Sequence, residues 1–277
     1  KRGLRLRVYE FVTLLVTGFV VTLVAVLLWS ALVRFERMAE ESARGIFGQM
    51  AIANARQLEA LTQAARRVVE TGSRLRAEDY VEGGYVSERL REHLLAQIDV
   101  HPTLYGLYFG LASGEFFQVI GVRGDEQLRS ALQAPEGTFF ALRTISAGDG
   151  DARTELWRYV DRQGSILGER RRSAVYDPVQ RVWYQQAQGH ERTVVVEPYH
   201  FESSGMLGVT FARRVASVDG VMGADLSLAT LTDFVTATSA GQPGGVVVLD
   251  ARDRVLAFSA TDAVRKAMES EGLAKDA

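Results

Sequence analysis

Apolar and polar positions alternate along this chain in three different ways. From Phe11 to Val33 there are 23 consecutive residues without a charge, FVTLLVTGFVVTLVAVLLWSALV. About 20 apolar residues in a helix suffice to cross a bilayer core, so residues 11–33 are predicted to be a transmembrane helix. A cleaved signal peptide is the competing reading, but its apolar stretch usually runs to about 7–15 residues and ends at a small-x-small site, which is not evident here. From Arg34 to about Gly72 the chain has no proline and is rich in Ala, Arg, Glu and Gln, and it reads as one long helix. Within it Phe47, Ala51, Asn54, Leu58, Leu61, Ala65 and Val68 recur at alternating steps of four and three, a narrow seam of coiled-coil type. The seam suits a single helix laid on its own domain or a contact with a second copy, and Gly45 and Gly48 leave the join to the span either continuous or kinked.

After Gly72 the period changes. Ser87–Ile98 predicts a short helix. From Thr103 strand-like runs follow one another: TLYGLYFG, EFFQVIGV, TFFALRTI, TELWRYVD, TVVVEPYHF, MLGVTFARRV and GVMGADLSL. Turn-forming stretches separate them, among them Ala112-Ser113-Gly114, Gly148-Asp149-Gly150-Asp151 and Val218-Asp219-Gly220. Asp177-Pro178 interrupts the meander with a cap and a first-turn proline, which predicts an inserted short helix. A further helix starts at Leu228, with Leu228, Leu231, Phe234 and Val235 on one face. The chain then restarts as a hairpin, GGVVVLDARDRVLAFSA, turning at Asp250-Ala251-Arg252-Asp253, and ends in a polar helical stretch. The fold class is therefore α+β. The predicted division is residues 1–10 on the cytoplasmic side, 11–33 in the membrane, 34–72 a long extracytoplasmic helix, 73–240 a complete module, and 241–277 the opening of a second module too small to stand alone.

Charge and composition narrow the function. Lys1, Arg2, Arg5 and Arg7 precede the span and mixed charges follow it, so the positive-inside rule puts the N-terminus in the cytoplasm and the bulk of the chain outside. A formal net charge of −2 over 277 residues leaves no basic excess for nucleic acid. The absence of cysteine removes thiol catalysis and Cys-ligated metals. His93, His101, His190 and His200 show no metal-ligand spacing, and no nucleophile motif or phosphate-binding glycine loop is present. Neither a catalytic residue, a metal nor a cofactor is expected within this chain.

The chemically informative segment is Tyr176–Tyr184, YDPVQRVWY. It sets Arg181 among large aromatics in an insertion beside a sheet, and Arg is suited to bidentate capture of a carboxylate. Tyr199 and Asp225 supply a hydroxyl and an isolated acid, which with aromatic faces suit an ammonium group. A plain packing role fits the same residues: Trp183 and Tyr184 as core aromatics, Arg181 paired with Asp177 or a carbonyl, and Asp225 capping the helix at Leu228. On that alternative the chain is a membrane-anchored module that contacts a periplasmic protein partner. A cavity lined by Arg181 and Asp225 would favour a ligand.

The order of span, long helix, PAS-like meander, YDPVQRVWYQQA and GADLSLATLTDFV resembles the double Cache (PAS-like) sensor regions of bacterial transmembrane receptors. The resemblance covers about Arg34 to the end, with Val182 standing where that family commonly has proline. It implies a membrane-distal module that binds a small ligand, and a start of a membrane-proximal one. In the amino-acid-binding branch the matching ligand-binding residues are Tyr176, Arg181, Trp183, Tyr184, Tyr199 and Asp225. Arg181 and Trp183 would take the carboxylate end, and Tyr184, Tyr199 and Asp225 the ammonium end. The resemblance further implies an inner-membrane receptor with a periplasmic sensor, a homodimer through the long helix, an amine or amino-acid ligand, and a cytoplasmic output of histidine kinase, chemotaxis or adenylate/guanylate cyclase type.

Overall fold

The computed structural model describes residues 8–147, 153–239, 245–249 and 252–260. The basic flank at residues 1–7, the turns predicted at 148–151 and around Asp250-Ala251, and the polar stretch after 260 lie outside the described residues. The chain forms two units, residues 1–55 and 56–277.

The described residues of the first unit, 8–55, are helical. Helix α1 runs from Val8 to Gly72 without a break, so Gly45 and Gly48 do not interrupt it. Its start is long and apolar enough to cross a membrane, and in this unit Phe47 is 52% exposed.

The second unit starts with the end of α1. There Ala65, Val68 and Val69 are buried and Leu58 and Leu61 half-buried, all in the main core. The later part of the predicted seam thus lies on its own domain. Next come a short turn of helix, α2 (Ala77–Tyr80), and a small hairpin of β1 (Val81–Glu82) and β2 (Tyr85–Val86). Helix α3 (Glu88–Val100) follows, capped by Ser87, whose hydroxyl accepts the Leu90 amide at 3.1 Å, and it buries Leu90, Leu94 and Ile98.

The sheet is built from β3 (Gly106–Leu111), β4 (Phe116–Gly121), β5 (Phe140–Ala147), β6 (Arg153–Val160), β7 (Ile166–Ser173), β8 (Val194–His200), β9 (Leu207–Val215) and β10 (Gly220–Ser227). Short helix α4 (Glu126–Ala131) joins β4 to β5. The spatial order is β7-β6-β5-β4-β3-β10-β9-β8, and every neighbouring pair is antiparallel. Seven strands match predicted runs. The eighth, β7, reads ILGERRRS, and its mostly exposed edge position leaves no apolar alternation to detect.

Side chains directly opposite one another in such a sheet share a face. Leu107, Phe109, Leu111, Phe117, Val119, Phe211, Met222, Ala224 and Leu226 share one face and form the main core with α1, α3 and α6 (Leu228–Ser239). On α6 Leu231 and Val235 are buried and Leu228 and Phe234 packed beside them, the predicted face. The other face carries the row Arg170, Trp157, Arg143, Gln118, Tyr108, Gly223, Ala212 and Val194, one residue from each strand. Beyond α6, β11 (Gly245–Leu249) and β12 (Val255–Ala260) pair as the predicted hairpin.

Candidate functional site

The insertion at Asp177 is not one helix. Asp177 accepts the Val179 amide at 3.2 Å and Pro178–Gln180 form a single 3-10 turn. Arg181 then adopts an extended backbone, φ −85° and ψ 145°, before α5 (Val182–Gln188) begins. This break sets Arg181 between two helical turns, with its guanidinium carbon 5.3 Å from the centre of the Tyr176 ring. Asp177 pairs with Arg153 at 3.4 Å instead. Among the described residues no carboxylate pairs with Arg181, so its positive charge is not neutralised by a neighbour.

Two glycines allow these groups to approach the sheet. A Cβ on Gly110 would lie 3.1 Å from both Pro178 and Trp183, so the insertion packs directly on β3 only because that position is bare. At Gly223 a Cβ would run into the Tyr108 ring. Tyr108 lies across that glycine, and its hydroxyl donates to Asp225 at 2.8 Å.

Asp225 is 3% exposed and sits near the end of β10, opposite Thr210 on β9. Thr210 donates to the same carboxylate oxygen at 2.5 Å and shares a 2.8 Å hydrogen bond with the Tyr199 hydroxyl. Burial pushes the Asp225 carboxyl up to about 7 from 3.8, and the two hydroxyl donors offset only part of that cost. Asp225 does not cap α6. Ser227 does, accepting the Thr230 amide at 3.1 Å.

Tyr199 reaches this side through an irregularity. Val196 pairs with Thr210 and Tyr199 with Gly208, so three steps on β8 match two on β9. The extra residue, at Glu197-Pro198 on an edge strand, keeps Tyr199 on the face of Val196 that regular alternation would have taken it from.

Tyr176, Arg181, Trp183, Tyr199 and Asp225 line one cavity on this face. Its centre measures about 20 Å³, room for about one water. Of the six residues singled out, Tyr184 is the exception: it is buried behind Trp183, its ring centre 5.5 Å away, and its hydroxyl accepts from Gln188 at 3.2 Å. The packing role expected of the aromatics holds in part, because Trp183 and Tyr184 join Tyr108, Phe116 and Ile145 in a buried cluster. Trp183 also donates its indole N–H to the Tyr176 hydroxyl at 3.2 Å. Burial raises the Tyr176 hydroxyl to about 12 and moves Tyr108 and Tyr199 the same way, so all three stay neutral donors.

The wall also includes Tyr108, Gln118 and Arg143 from the sheet, and Phe201, Glu202 and Ser203 from the β8–β9 connection. The sequence reading passed over these. Gln118 and Arg143 did leave a trace: Gln118 is the lone polar residue of FFQVIG and Arg143 the lone charged residue of FFALRTI.

Residues 126–233 match the family described as "Methyl-accepting chemotaxis protein-like, first PDC sensor domain". Over this stretch the chain is similar to sensor domains of that kind. It is 31% identical over 173 residues to Adenylate cyclase 1 of Rhizobium meliloti, covering 62% of this chain and 26% of that protein. It is 36% identical over 88 residues to the methyl-accepting chemotaxis protein PscA of Pseudomonas syringae, covering 31% of this chain and 14% of that one. The chain thus spans about a quarter or less of the length of the curated relatives it matches. Among solved structures, the ligand-binding domain of Campylobacter jejuni chemoreceptor Tlp3, in complex with 4-methylisoleucine, shares the fold with a TM-score of 0.50 at 12% identity. That match covers 82% of this chain and 70% of the other.

Proposed function

We propose that this chain is the anchor and extracytoplasmic sensor of a receptor that binds a small amino acid and signals to an output module lying outside these residues. The observation that carries the reading is the placement of Arg181, which no carboxylate pairs with among the described residues, and a buried Asp225 on one aromatic-walled cavity. A free amino acid brings a carboxylate and an ammonium on one carbon, and these two residues offer its complements. Tyr176 and Trp183 would flank the carboxylate, and Tyr199 would orient Asp225 toward the ammonium through Thr210. Tyr184 supports the site by packing behind Trp183.

The matches to chemotaxis proteins and an adenylate cyclase support a sensing, non-catalytic role for this portion, with either kind of output. The uncharged stretch of α1 from Phe11 to Val33 supports a span through the inner membrane with the sensor in the periplasm. The exposed Phe47 and Ala51 of the predicted seam support a dimer contact along the early part of the long helix. Residues 73–240 would then form the membrane-distal module and the β11–β12 hairpin the opening of the next.

Calorimetric titration of the purified chain in lipid nanodiscs with individual L-amino acids tests this reading. At least one should bind, and Arg181→Ala should weaken it roughly thirtyfold or more, since truncating one partner of a charge pair that the bound ligand buries costs about 2–5 kcal/mol. Unchanged affinity in a folded Arg181→Ala chain would refute the assignment.

A further inference from the structure

The cavity wall carries two polar side chains, Gln118 and Arg143, besides those proposed to hold the carboxylate and ammonium of an amino acid. Gln118 and Arg143 face each other across β4 and β5, in the row that contains Tyr108. They are 5% and 1% exposed, and both line the cavity. Arg143 is held firmly. Its Nε donates to Glu155 at 2.5 Å, one Nη lies 2.8 Å from Glu202, and its guanidinium stacks 4.4 Å from the Tyr176 ring centre and 5.1 Å from Trp157. The remaining nitrogen, Nη2, is buried without a hydrogen-bond partner. Among the described residues the Gln118 amide makes no hydrogen bond either. Leaving a buried donor unpaired costs about 1–3 kcal/mol, so a wall that sets Arg143 Nη2 beside a Gln118 amide facing the cavity is complementary to something that supplies the partners.

Charge decides what that partner is. Arg143 and Arg172 are balanced by Glu155 and Glu202, with Arg172 Nε 2.5 Å from Glu155. With Arg181 taken by the α-carboxylate, an acidic side chain would meet Glu202 and no further uncompensated cation, and a basic one would meet the Nη2 donor. A purely aliphatic side chain would leave both Nη2 and the Gln118 amide unsatisfied. A carboxamide fits both: its oxygen accepts from Arg143 Nη2 or the Gln118 NH2, and its NH2 donates to the Gln118 oxygen.

We infer that the Gln118–Arg143 pair is a side-chain subsite that selects an amino acid ending in an uncharged carboxamide, glutamine or asparagine, over aliphatic, acidic and basic ones. The inference rests on the amino-acid reading of the cavity. It adds two specificity-determining residues and a ligand class.

The test is calorimetric titration of the full chain in lipid nanodiscs with L-glutamine, L-asparagine, L-valine, L-glutamate and L-lysine. One of the carboxamides should bind at least about tenfold more tightly than the other three, because sites built to hydrogen-bond a ligand group reject analogues lacking it. Gln118→Met, close in volume, should shrink that ratio to within about threefold. Gln118→Glu should also reverse the order of carboxamide and lysine. Valine, glutamate or lysine binding as tightly as the carboxamides would overturn the subsite while leaving the amino-acid reading intact. If a folded chain binds none of the five and no other L-amino acid, the proposed function fails and the inference falls with it.

Discussion

At Asp225 the ligand-free fold carries a carboxyl held near pH 7 by burial, where its unfolded counterpart sits at 3.8. Between those values the folded chain holds the proton that the unfolded chain releases, so this group makes stability fall as pH rises from about 4 through about 7, and the loss levels off above that. Glu155 acts in the opposite sense. Burial alone would raise it, but its bonds with Arg172, Arg143 and Trp157 outweigh that and lower it. Its contribution is present above about 4.5 and is lost as pH falls through its lowered value. Thermal melts of the ligand-free chain should therefore peak in mildly acid solution. Asp225→Asn should remove the decline toward pH 8 and stabilise the chain there by roughly 1–4 kcal/mol, while abolishing recognition of an ammonium ligand. A mutant that loses stability at pH 8 would show that Asp225 is a structural anchor.

The elements show where sequence pattern is informative and where it is silent. Strands β3, β4 and β10 are buried along their whole length, and their apolar runs announce them. Strand β7 has an exposed pattern and announces nothing. The apolar start of α1, the capped α3 and α6 were legible because a long uncharged run, a cap or a buried face leaves a residue-type signature. The site was only partly legible. YDPVQRVWY marked Tyr176, Arg181 and Trp183, but the extended break at Arg181 and the bulge that re-aims Tyr199 depend on single residues and on cross-strand register. Gln118 and Arg143 meet only when β4 and β5 pair. On α1 the seam divides: Val68 is core, Phe47 is exposed. Val68→Ala should cost about 1–3 kcal/mol of sensor stability, whereas Phe47→Glu should change it by less than about 0.5 kcal/mol. If α1 mediates a dimer, Ala51→Cys in this cysteine-free chain should cross-link in membranes, and Phe47→Glu should suppress that cross-link.

For the whole molecule, the sensing proposal depends on two faces of one sheet. Tyr108 touches the Asp225 side, while its neighbours Leu107 and Phe109 lie in the core that holds Ala65, Val68 and Val69 of α1. A ligand that parts the narrow cavity walls around Arg181 and Asp225 would thus shift the strand on which α1 rests, provided it prefers one arrangement over the other. The central claim is that both ends of an amino acid are held at once. Its most direct test is a thermal-shift comparison on the nanodisc-embedded chain. An L-amino acid that stabilises it is set against the same molecule lacking its carboxylate and the same molecule lacking its ammonium. Ligand at about 100 times its dissociation constant should stabilise the fold by about 2.7 kcal/mol, and neither truncated analogue should do so at that concentration. A truncated analogue that stabilises the chain as well as the parent would contradict the account.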